Sequence, residues 1–426
     1  MLPDRHKNNQ PQMDSLKVIA DFNFLPAPQE VGILVHERIR GTSVFRFHFH
    51  PQWLEQHGNI YLCSDISNTR GWQFTSGHLF GCFEDALPDR WGRTLIELRE
   101  QILANKNNRS IQFLTSFDYL CLLDDTSRMG GFRFKKEGLD SYINHDGTLT
   151  VPPTTSIQEL CDATRKVEDY LFRGETPEEK WIRQLYNPGS SLGGARPKAN
   201  VIGTDNALYI AKFPSRNDRI DVGLWEHFSH LLAMKAGITA ATTDVMSTGN
   251  HHTLLSKRFD RDGLQRIHFA SSMSLLGFSD GDGAQTDKGY LDIVDFIIGH
   301  CTNAQANLEE LYRRVAFNIC IGNTDDHFRN HGFLLTRQGW TLSPAYDINP
   351  TLGNHQALLI NDESNESDLD LLLDSHKDYF ITQEKAQKIV SNVLNAVRQW
   401  PTLAKKAGLK NNEIAMFQSR LDRWIP

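Results

Sequence analysis

Apolar and polar side chains alternate along the stretch 31–49, VGILVHERIRGTSVFRFHF, as they do in strands that bury one face. The Arg-Gly pair at its centre is typical of a turn between two strands. A helical pattern follows from about Pro88, with Leu95 and Leu98 on its apolar face. It ends at the polar break ANKNNRS, 104–110. This part of the chain is therefore predicted to be a β-rich unit that also carries a long helix.

The remaining pattern changes from mixed to mainly helical. A helix is predicted near 156–172, and the stretch NPGSSLGGARPKANVIGTDNALYIAKFP, 187–214, has the pattern of a Gly loop followed by two strands around a turn. Beyond Asp260 the spacing is mostly helical. A chain of 426 residues exceeds one ordinary core. We predict an α+β protein with a disordered or frayed N-terminus at 1–20, a β-rich N-terminal domain at 21–110, a mixed lobe at 111–262 and a mainly helical lobe at 263–426.

One helix can be placed with its two ends. In NLEELYRRVAFNICIGN, 307–323, the apolar residues fall on one helical face. Asn307 suits the N-cap, and Gly322 suits the C-terminal stop. The polar residues 323–330, NTDDHFRN, are therefore predicted to form a loop that leaves the end of a buried helix.

A hairpin is predicted directly after this loop. The stretch FLLTRQGWTL, 333–342, has the pattern of two short strands around a turn. A hairpin returns its two ends to the same place, so Asn330 before it is expected to lie close to Asp347 after it. Asp325, Asn330 and Asp347 are therefore expected to converge.

Composition limits the classes of function. The formal net charge of -7 argues against a general nucleic-acid binder, since such proteins usually carry an excess of Lys and Arg. The six cysteines lie far apart without a C-x-x-C pair, as in a reduced intracellular protein. The first residues lack the apolar core of a signal peptide, and no run of about 18 apolar residues occurs. A cytoplasmic location is expected.

The convergent trio has the chemistry of phosphoryl transfer. Asp325 and Asn330 have the spacing of the D-x-x-x-x-N of a kinase catalytic loop, in which the Asp accepts a hydroxyl proton and the Asn helps to hold Mg²⁺. Asp347 follows a strand pair, as the Mg²⁺-binding Asp of a kinase does. Oxygen ligands of this kind suit Mg²⁺ bound to nucleotide phosphates. A kinase-like, two-lobed fold is therefore predicted.

The cations and the phosphate loop would come from the mixed lobe. Gly193 and Gly194 allow backbone N–H groups to approach phosphates. Lys212 ends an apolar strand, and Glu226 on the following helix is a candidate partner for it. The segment LLSKRFD, 254–260, is expected to lead into an interlobe hinge. These parts occur in the order that they have in kinases.

Other interpretations compete with this one. His327 and His331 are four apart, as in the zinc motif H-E-x-x-H, but the Glu is absent and Gly332 argues against a helix. The same parts would also serve a small-molecule kinase of the antibiotic-phosphotransferase type. A non-catalytic ATP-sensing module that binds a partner is the non-enzyme alternative.

The motifs SSLGGARPKA, IAKFP, KRFDR, GNTDDHFRNHGFLL and LSPAYDINP, in this order, resemble those of the HipA-type serine/threonine kinase toxins of bacterial type II toxin–antitoxin systems. FEDALPDRWGR, 83–93, is similar to the N-terminal domain of that family. The resemblance implies an ATP-binding N-lobe at 111–262 and a catalytic C-lobe at 263–426. It implies Asp325 as the catalytic base and Mg²⁺ on Asn330 and Asp347. ATP would be contacted by Gly193, Gly194, Ala195, Arg196, Pro197, Lys198, Lys212, Lys257, Arg258, Phe259, His327, Asn330, Tyr346 and Asp347.

The resemblance also implies regulation and partners. Ser191 stands where the family carries a serine that it autophosphorylates and so becomes silenced, with Ser190 as the adjacent alternative. An aminoacyl-tRNA synthetase or another translation component would be the protein substrate. A helix-turn-helix antitoxin would be the partner, and DNA would be bound only through it. A membrane is not expected to take part.

Overall fold

The computed structural model describes residues 14–145, 151–186 and 194–424. Residues 14–20 differ from the prediction of a frayed terminus, because they form a strand with mostly buried side chains at its end. The rest of the predicted terminus, like Ser190, Ser191 and Gly193, lies outside the described residues. No helix in the described ranges is long and apolar enough to cross a membrane.

An antiparallel sheet of five strands forms the N-terminal part, in the order β4-β3-β2-β1-β5. Its strands are β1 (Asp14–Ala20), β2 (Gln29–Ile39), β3 (Thr42–Phe49), β4 (Gln73–Ser76) and β5 (Phe132–Lys136). The predicted Arg-Gly turn joins β2 to β3, and both of its residues have positive φ angles. The strand β5 lies beyond residue 110, in the range that the sequence assigns to the mixed lobe, yet it pairs with β1 along its whole length.

Four helices accompany this sheet: α1 (Pro51–His57), α2 (Gly81–Glu84), α3 (Arg90–Lys106) and α4 (Ser116–Leu122). The helix α3 is the one predicted near Pro88. Its N-cap is Asp89, whose side chain accepts a hydrogen bond from the backbone N–H of Gly92 at 2.6 Å. Leu95 and Leu98 of α3 pack with the second sheet rather than with the first. The helix therefore connects the N-terminal part to the mixed lobe.

The mixed lobe is an antiparallel sheet in the order β6-β7-β9-β8, covered by helices. Its strands are β6 (Lys198–Ile202), β7 (Leu208–Lys212), β8 (Thr243–Thr248) and β9 (His251–Lys257). Its helices are α5 (Ile157–Phe172), α6 (Glu179–Tyr186) and α7 (Val222–Lys235). A short 3-10 helix, Thr154–Ser156, precedes α5. The predicted pair of strands after the Gly loop is thus confirmed.

The last part is mainly helical, as predicted. Its helices are α8 (Ser272–Leu276), α9 (Tyr290–His300), α10 (Ala304–Ile321), α11 (Leu369–Asp374), α12 (Gln383–Val397), α13 (Trp400–Ala407) and α14 (Asn411–Leu421). Its strands are β10 (Arg261–Asp262), β11 (Gln265–Arg266), β12 (Phe269–Ser271), β13 (Gly332–Thr336) and β14 (Gly339–Leu342). Further 3-10 turns are Ala284–Thr286, Phe328–Asn330 and Ser375–Lys377. The predicted hairpin is the pair β13–β14.

The helix α10 begins one turn earlier than the sequence suggests. Its N-cap is Asn303, and Asn307 lies inside it. The buried Asn307 side chain donates to the carbonyl of Thr302 and accepts from the backbone N–H of Leu342, so it fastens the helix to β14. Gly322 ends the helix with φ 74°, as predicted, because this left-handed conformation suits glycine.

Three arginines fix the connection between the mixed lobe and the helical lobe. We call Arg258, Arg261 and Arg266 the arginine clamp. Arg258 forms a buried ion pair with Asp260 and donates hydrogen bonds to the backbone carbonyls of Ser127 and Arg128. Arg261 donates to the carbonyl of Arg128. Arg266 donates to the carbonyl of Asp125. Burial opposes ionisation of Asp260, but Arg258 and Arg261 outweigh it and lower its pKa.

Candidate active site

A cavity of about 800 Å³ lies between the two lobes and the N-terminus of α3. Asp325, Asn330, Asp347 and Lys212 all line it. The convergence predicted from the hairpin is therefore present, and the strand-end lysine faces the same space. These four predicted residues therefore lie in one site. Residues of α3, which the prediction did not include, also line it.

Lys212 is held between two carboxylates. Its Nζ lies 2.6 Å from Oε1 of Glu226 and 2.7 Å from Oδ1 of Asp347. Burial opposes the charge of Lys212, but Asp347 and Glu226 outweigh this and raise its pKa. Glu226 is itself buried on α7. The predicted Lys212–Glu226 pair is thus present, and the ammonium group is fully charged at neutral pH.

Asp347 adopts a strained backbone conformation for a residue other than glycine, with φ 57°. Its carboxylate lines the cavity. Burial disfavours its charge, but Lys212 prevails and lowers the pKa of Asp347. The side-chain amide of Asn349 donates to the same Oδ1 at 3.2 Å. Asp347 is therefore an anion at the end of the strand pair, as a metal-binding carboxylate must be.

The loop after α10 is fastened by Asp326. Oδ2 of this buried carboxylate accepts hydrogen bonds from the Tyr290 hydroxyl, the Asn318 amide and Nε2 of His331, each at 2.7 Å. Burial opposes ionisation of Asp326, but His331 outweighs it and lowers the pKa. Asp326 therefore points away from the cavity and supports the loop.

Asp325 points into the cavity from this supported loop. Burial, and the charges of Asp347 and Asp326, raise its pKa, although His327 partly opposes this. A carboxylate with a raised pKa accepts a proton more readily than an ordinary surface carboxylate. The Asn330 side-chain amide donates to the backbone carbonyl of Asp325 at 3.0 Å. This hydrogen bond leaves the Asn330 side-chain oxygen as the atom that can bind a cation.

The described part of the Gly loop lies on the opposite wall. Gly194, Ala195, Arg196 and Lys198 line the cavity. Arg196 is engaged by Asp218 through two hydrogen bonds of 3.0 and 2.7 Å. The carbonyl of Pro197 accepts from the backbone N–H of Phe213, which joins the end of the loop to the sheet. Asp218 therefore fixes the Arg196 guanidinium, and the Pro197 carbonyl is used within the sheet.

Lys198 makes a contact that the sequence did not reveal. Its buried Nζ lies 3.1 Å from Oδ2 of Asp89, the N-cap of α3, and 3.4 Å from the carbonyl of Gly194. Burial raises the pKa of Asp89 to about 6. Arg90 and Arg93 of α3 and Arg329 of the loop also line the cavity. The sequence signal for Asp89, Arg90 and Arg93 was the segment LPDRWGR, 87–93, which resembles the N-terminal domain of the family.

A second and much smaller cavity, of about 50 Å³, continues the first beyond Lys212 and Asp347. It is lined by apolar and hinge residues, including Ile210, Lys257, Arg258, Phe259, Phe269 and Tyr346. The N–H groups of Lys257 and Arg258 already donate to the carbonyls of Thr242 and Leu208. The Lys257 side chain turns outward to Asp205, and that of Arg258 belongs to the clamp. The side chains of Lys257 and Arg258 therefore do not face a bound base, whereas the backbone of this segment and the Phe259 ring can do so.

The donor set fits nucleotide phosphates and a hard cation. Asp347 and the side-chain oxygen of Asn330 are oxygen ligands of the type that Mg²⁺ prefers together with water and phosphate oxygens. Within the described ranges, no three His, Cys, Asp or Glu side chains are arranged to hold a metal ion by themselves. His331 is turned toward Asp326, whereas His327 lines the cavity, so the two histidines do not converge as zinc ligands would.

Comparison with known proteins gives the family and the fold. The HipA-like C-terminal domain family matches residues 190–400. The serine/threonine-protein kinase toxin HipA of Shewanella oneidensis is 27% identical over 228 residues, which are 46% of this chain and 52% of that protein. A putative kinase of Haemophilus influenzae is 27% identical over 187 residues, or 39% of this chain and 54% of that protein. The chain thus spans about half of the length of the curated relatives it matches.

Among solved structures, a chain of the toxin–antitoxin complex of HipA, HipB and operator DNA from Shewanella oneidensis MR-1 has a similar fold. The TM-score is 0.62 at 17% identity, and the match covers 96% of both chains. The predicted α+β, two-lobed kinase-like fold is thereby confirmed.

Proposed function

Because the chain belongs to the HipA-type family, we propose that it is a serine/threonine protein kinase dependent on ATP and Mg²⁺. It would transfer the γ-phosphoryl group to a hydroxyl group of a protein. The observation that carries the proposal is the position of Lys212 between Glu226 and Asp347 in a cavity that Asp325 and Asn330 also line.

The charged side chains of the site have different roles. Lys212 supplies the cation for the nucleotide phosphates, and Glu226 keeps its Nζ pointed into the cavity. Asp325 accepts the proton of the acceptor hydroxyl as the oxygen attacks the γ-phosphorus, and the bond from the γ-phosphorus to the bridging oxygen breaks so that ADP leaves. Asp347 and Asn330 would hold Mg²⁺, which would supply positive charge to the phosphate oxygens. Catalysis on this arrangement consists mainly of positioning and charge neutralisation.

The adenine would lie in the smaller cavity against Phe259 and Tyr346, with its edge on the backbone of 257–259. The Gly loop, Gly193 to Lys198, would hold the phosphates through its backbone N–H groups, of which Pro197 has none, and His327 would line the same pocket. Lys212 and Asp347 form an ion pair with each other in the structure. Binding of nucleotide and cation must therefore replace this contact with phosphate and metal contacts.

Transfer of label from [γ-³²P]ATP to proteins of a cell extract tests the proposal. We expect Asp325→Asn to abolish labelling, because the amide cannot accept the proton and the residue lies in the cavity without supporting the fold. Asp295→Asn, on the exposed side of α9, is the matched control and should label like the wild type. Equal labelling by Asp325→Asn and the wild type would refute the assignment.

The same assay separates the alternative functions. Label that appears only in small molecules would indicate a small-molecule kinase of the antibiotic-phosphotransferase type. ATP binding without transfer to any acceptor would indicate a non-catalytic ATP-sensing module. Label on the protein itself, lost in Ser191→Ala and retained in Ser190→Ala, would identify the autophosphorylated serine.

The biological setting that we propose follows the named relatives. The chain would act in the cytoplasm as the toxin of a toxin–antitoxin pair, on a translation component such as an aminoacyl-tRNA synthetase. A HipB-type helix-turn-helix antitoxin would bind it and would provide its only contact with DNA. Co-purification of the chain with the product of a neighbouring gene tests this partner.

A further inference from the structure

A groove of about 600 Å³ lies on the outer face of α7. Its walls are α7, the strand β8 and the helix α13, so it spans the mixed lobe and the helical lobe. Glu226 of α7 faces the small cavity beyond Lys212, whereas its neighbour His227 lines this groove. The groove shares no lining residue with the two cavities of the proposed active site. We call it the α7 groove.

The floor of the α7 groove is apolar. Leu231 and Met234 of α7 stand on one helical face, and Val245, Leu403 and Ala407 complete the surface. Leu403 is buried, whereas Met234 is 43% exposed. A contiguous apolar surface in a concave site is typical of an interaction surface, and methionine adapts its shape to different partners. The groove therefore has the composition of a site for an apolar partner.

The rim of the groove is cationic. Lys235 and Lys406 line it together with His227, and no carboxylate of the described residues does so. Both lysines are exposed, and neither forms an ion pair within the part of the chain that the structure describes. In a chain with a formal net charge of -7, this local positive charge is complementary to an acidic partner. A nucleic acid would leave the apolar floor uncovered, so the matching partner is a protein segment that is both acidic and apolar.

The strand β8 is the edge of its sheet in the described part of the chain. The backbone N–H of Lys257 donates to the carbonyl of Thr242, so the alternation of the ladder turns the N–H of Val245 away from β9. The carboxylate of Asp244 accepts a hydrogen bond from this N–H at 2.8 Å. An edge covered in this way disfavours the addition of an extended segment. An α-helix satisfies its own backbone groups and needs only the apolar floor.

We propose that the α7 groove binds an amphipathic helix of a protein partner, with acidic residues beside the apolar stripe of that helix. The stripe lies on Leu231, Met234 and Leu403, and the acidic residues lie beside Lys235 and Lys406. The binding does not depend on the proposed kinase activity. Because α7 also carries Glu226, the bound helix rests on the element that positions Lys212.

A display library of helical peptides tests the inference. Its members carry apolar residues at positions i, i+3, i+4 and i+7, with Glu or Lys randomised beside them, and they are selected on the full chain. We expect the selected helices to carry Glu. Exchange of Glu for Lys in a selected helix should weaken binding roughly tenfold at low salt and less at high salt, by fluorescence anisotropy. A central proline should abolish binding, because it breaks the helix.

Charge reversal in the protein locates the binding site. Lys406→Glu should weaken the selected helix at least roughly threefold and should improve binding of its Lys-for-Glu counterpart. Lys405→Glu is the matched control, because Lys405 lies in the same last turn of α13 but does not line the groove, and its Kd should stay unchanged. Met234→Asp should weaken both peptides. Thermal unfolding of each variant confirms that it folds.

Four results would overturn the inference. They are a selection that returns no helix, selected helices without an excess of Glu, equal Kd values for Lys405→Glu and Lys406→Glu, and undiminished binding of the proline peptide. A protein that binds the helix but transfers no phosphate would keep the inference and would contradict only the proposed kinase activity.

Discussion

Replacing Glu226 with glutamine tests the central ion pair of the site. The substitution keeps the shape of the side chain and removes the charge that lies 2.6 Å from the Lys212 ammonium. Lys212 would then remain paired with Asp347 alone, at 2.7 Å. We expect Lys212 to be drawn toward Asp347 and away from the position in which it meets a phosphate.

The magnitude follows from the geometry. Coulomb's law with an effective dielectric constant of about 20 gives roughly 6 kcal/mol for unit charges at this separation. Most of this attraction is offset by the desolvation of the two buried groups. The introduced glutamine would keep one acceptor oxygen and Asp347 would still neutralise Lys212, so we expect the unfolding free energy to fall by only about 1–2 kcal/mol. Misplacement of the phosphate-binding cation should lower kcat/KM for ATP roughly 10- to 100-fold.

Radiolabel transfer at varied ATP concentration measures kcat and KM, and urea unfolding measures stability. Glu413→Gln is the matched control, because Glu413 is also buried and accepts a hydrogen bond from Trp225 of the same helix α7, but it lies outside the cavity. We expect this control to lower stability slightly and to leave kcat/KM unchanged. If Glu226→Gln transferred phosphate at the wild-type rate, Glu226 would not position Lys212 and the reasoning would fail.

Three further outcomes are expected. Burial lowers the pKa of His268 to about 3, whereas the unfolded chain binds this proton near pH 6.5. The unfolding free energy should therefore fall by about 2 kcal/mol from pH 7 to pH 5. Urea titration at each pH measures this loss, which should be smaller in His268→Phe. Asp89→Asn leaves the buried Lys198 without its carboxylate and should lower the unfolding free energy by about 3 kcal/mol. Adding Lys198→Met should restore part of this loss, as measured by thermal unfolding. Gly322 has φ 74°, and a Cβ at this position would clash with the Arg420 side chain. Gly322→Ala should therefore lower the unfolding free energy in urea by at least about 1 kcal/mol and slow phosphoryl transfer.

Local pattern was sufficient for the parts of the site that follow one another in the chain. The loop from Asp325 to Asn330 lies between a helix with a clear apolar period and a hairpin. The two strands of the hairpin begin and end side by side, which brings Asp347 back to the loop. Lys212 ends a short apolar strand. In each case the geometry of one element, or of two adjacent elements, already determines which side chains meet.

Contacts between distant parts could not be predicted in this way. The pairing of β5 with β1 and the ion pair of Asp89 with Lys198 depend on how separate units pack, and no periodicity encodes that choice. The start of α10 was misplaced for a related reason. Asn307 is a good N-cap by type, but its amide is used to hold β14, a contact that only the folded chain reveals.

The arginine clamp has a consequence for how ligands would enter. In two-lobed enzymes the lobes commonly rotate about their connection to admit the nucleotide. Here that connection is tied to the carbonyls of residues 125–128 by Arg258, Arg261 and Arg266, and these carbonyls precede a strand of the N-terminal sheet. Rotation would break several buried charge-assisted hydrogen bonds at once. Admission of the proposed nucleotide would therefore fall to the residues around the cavity mouth, and the radius of gyration of the protein should stay constant when ATP is added.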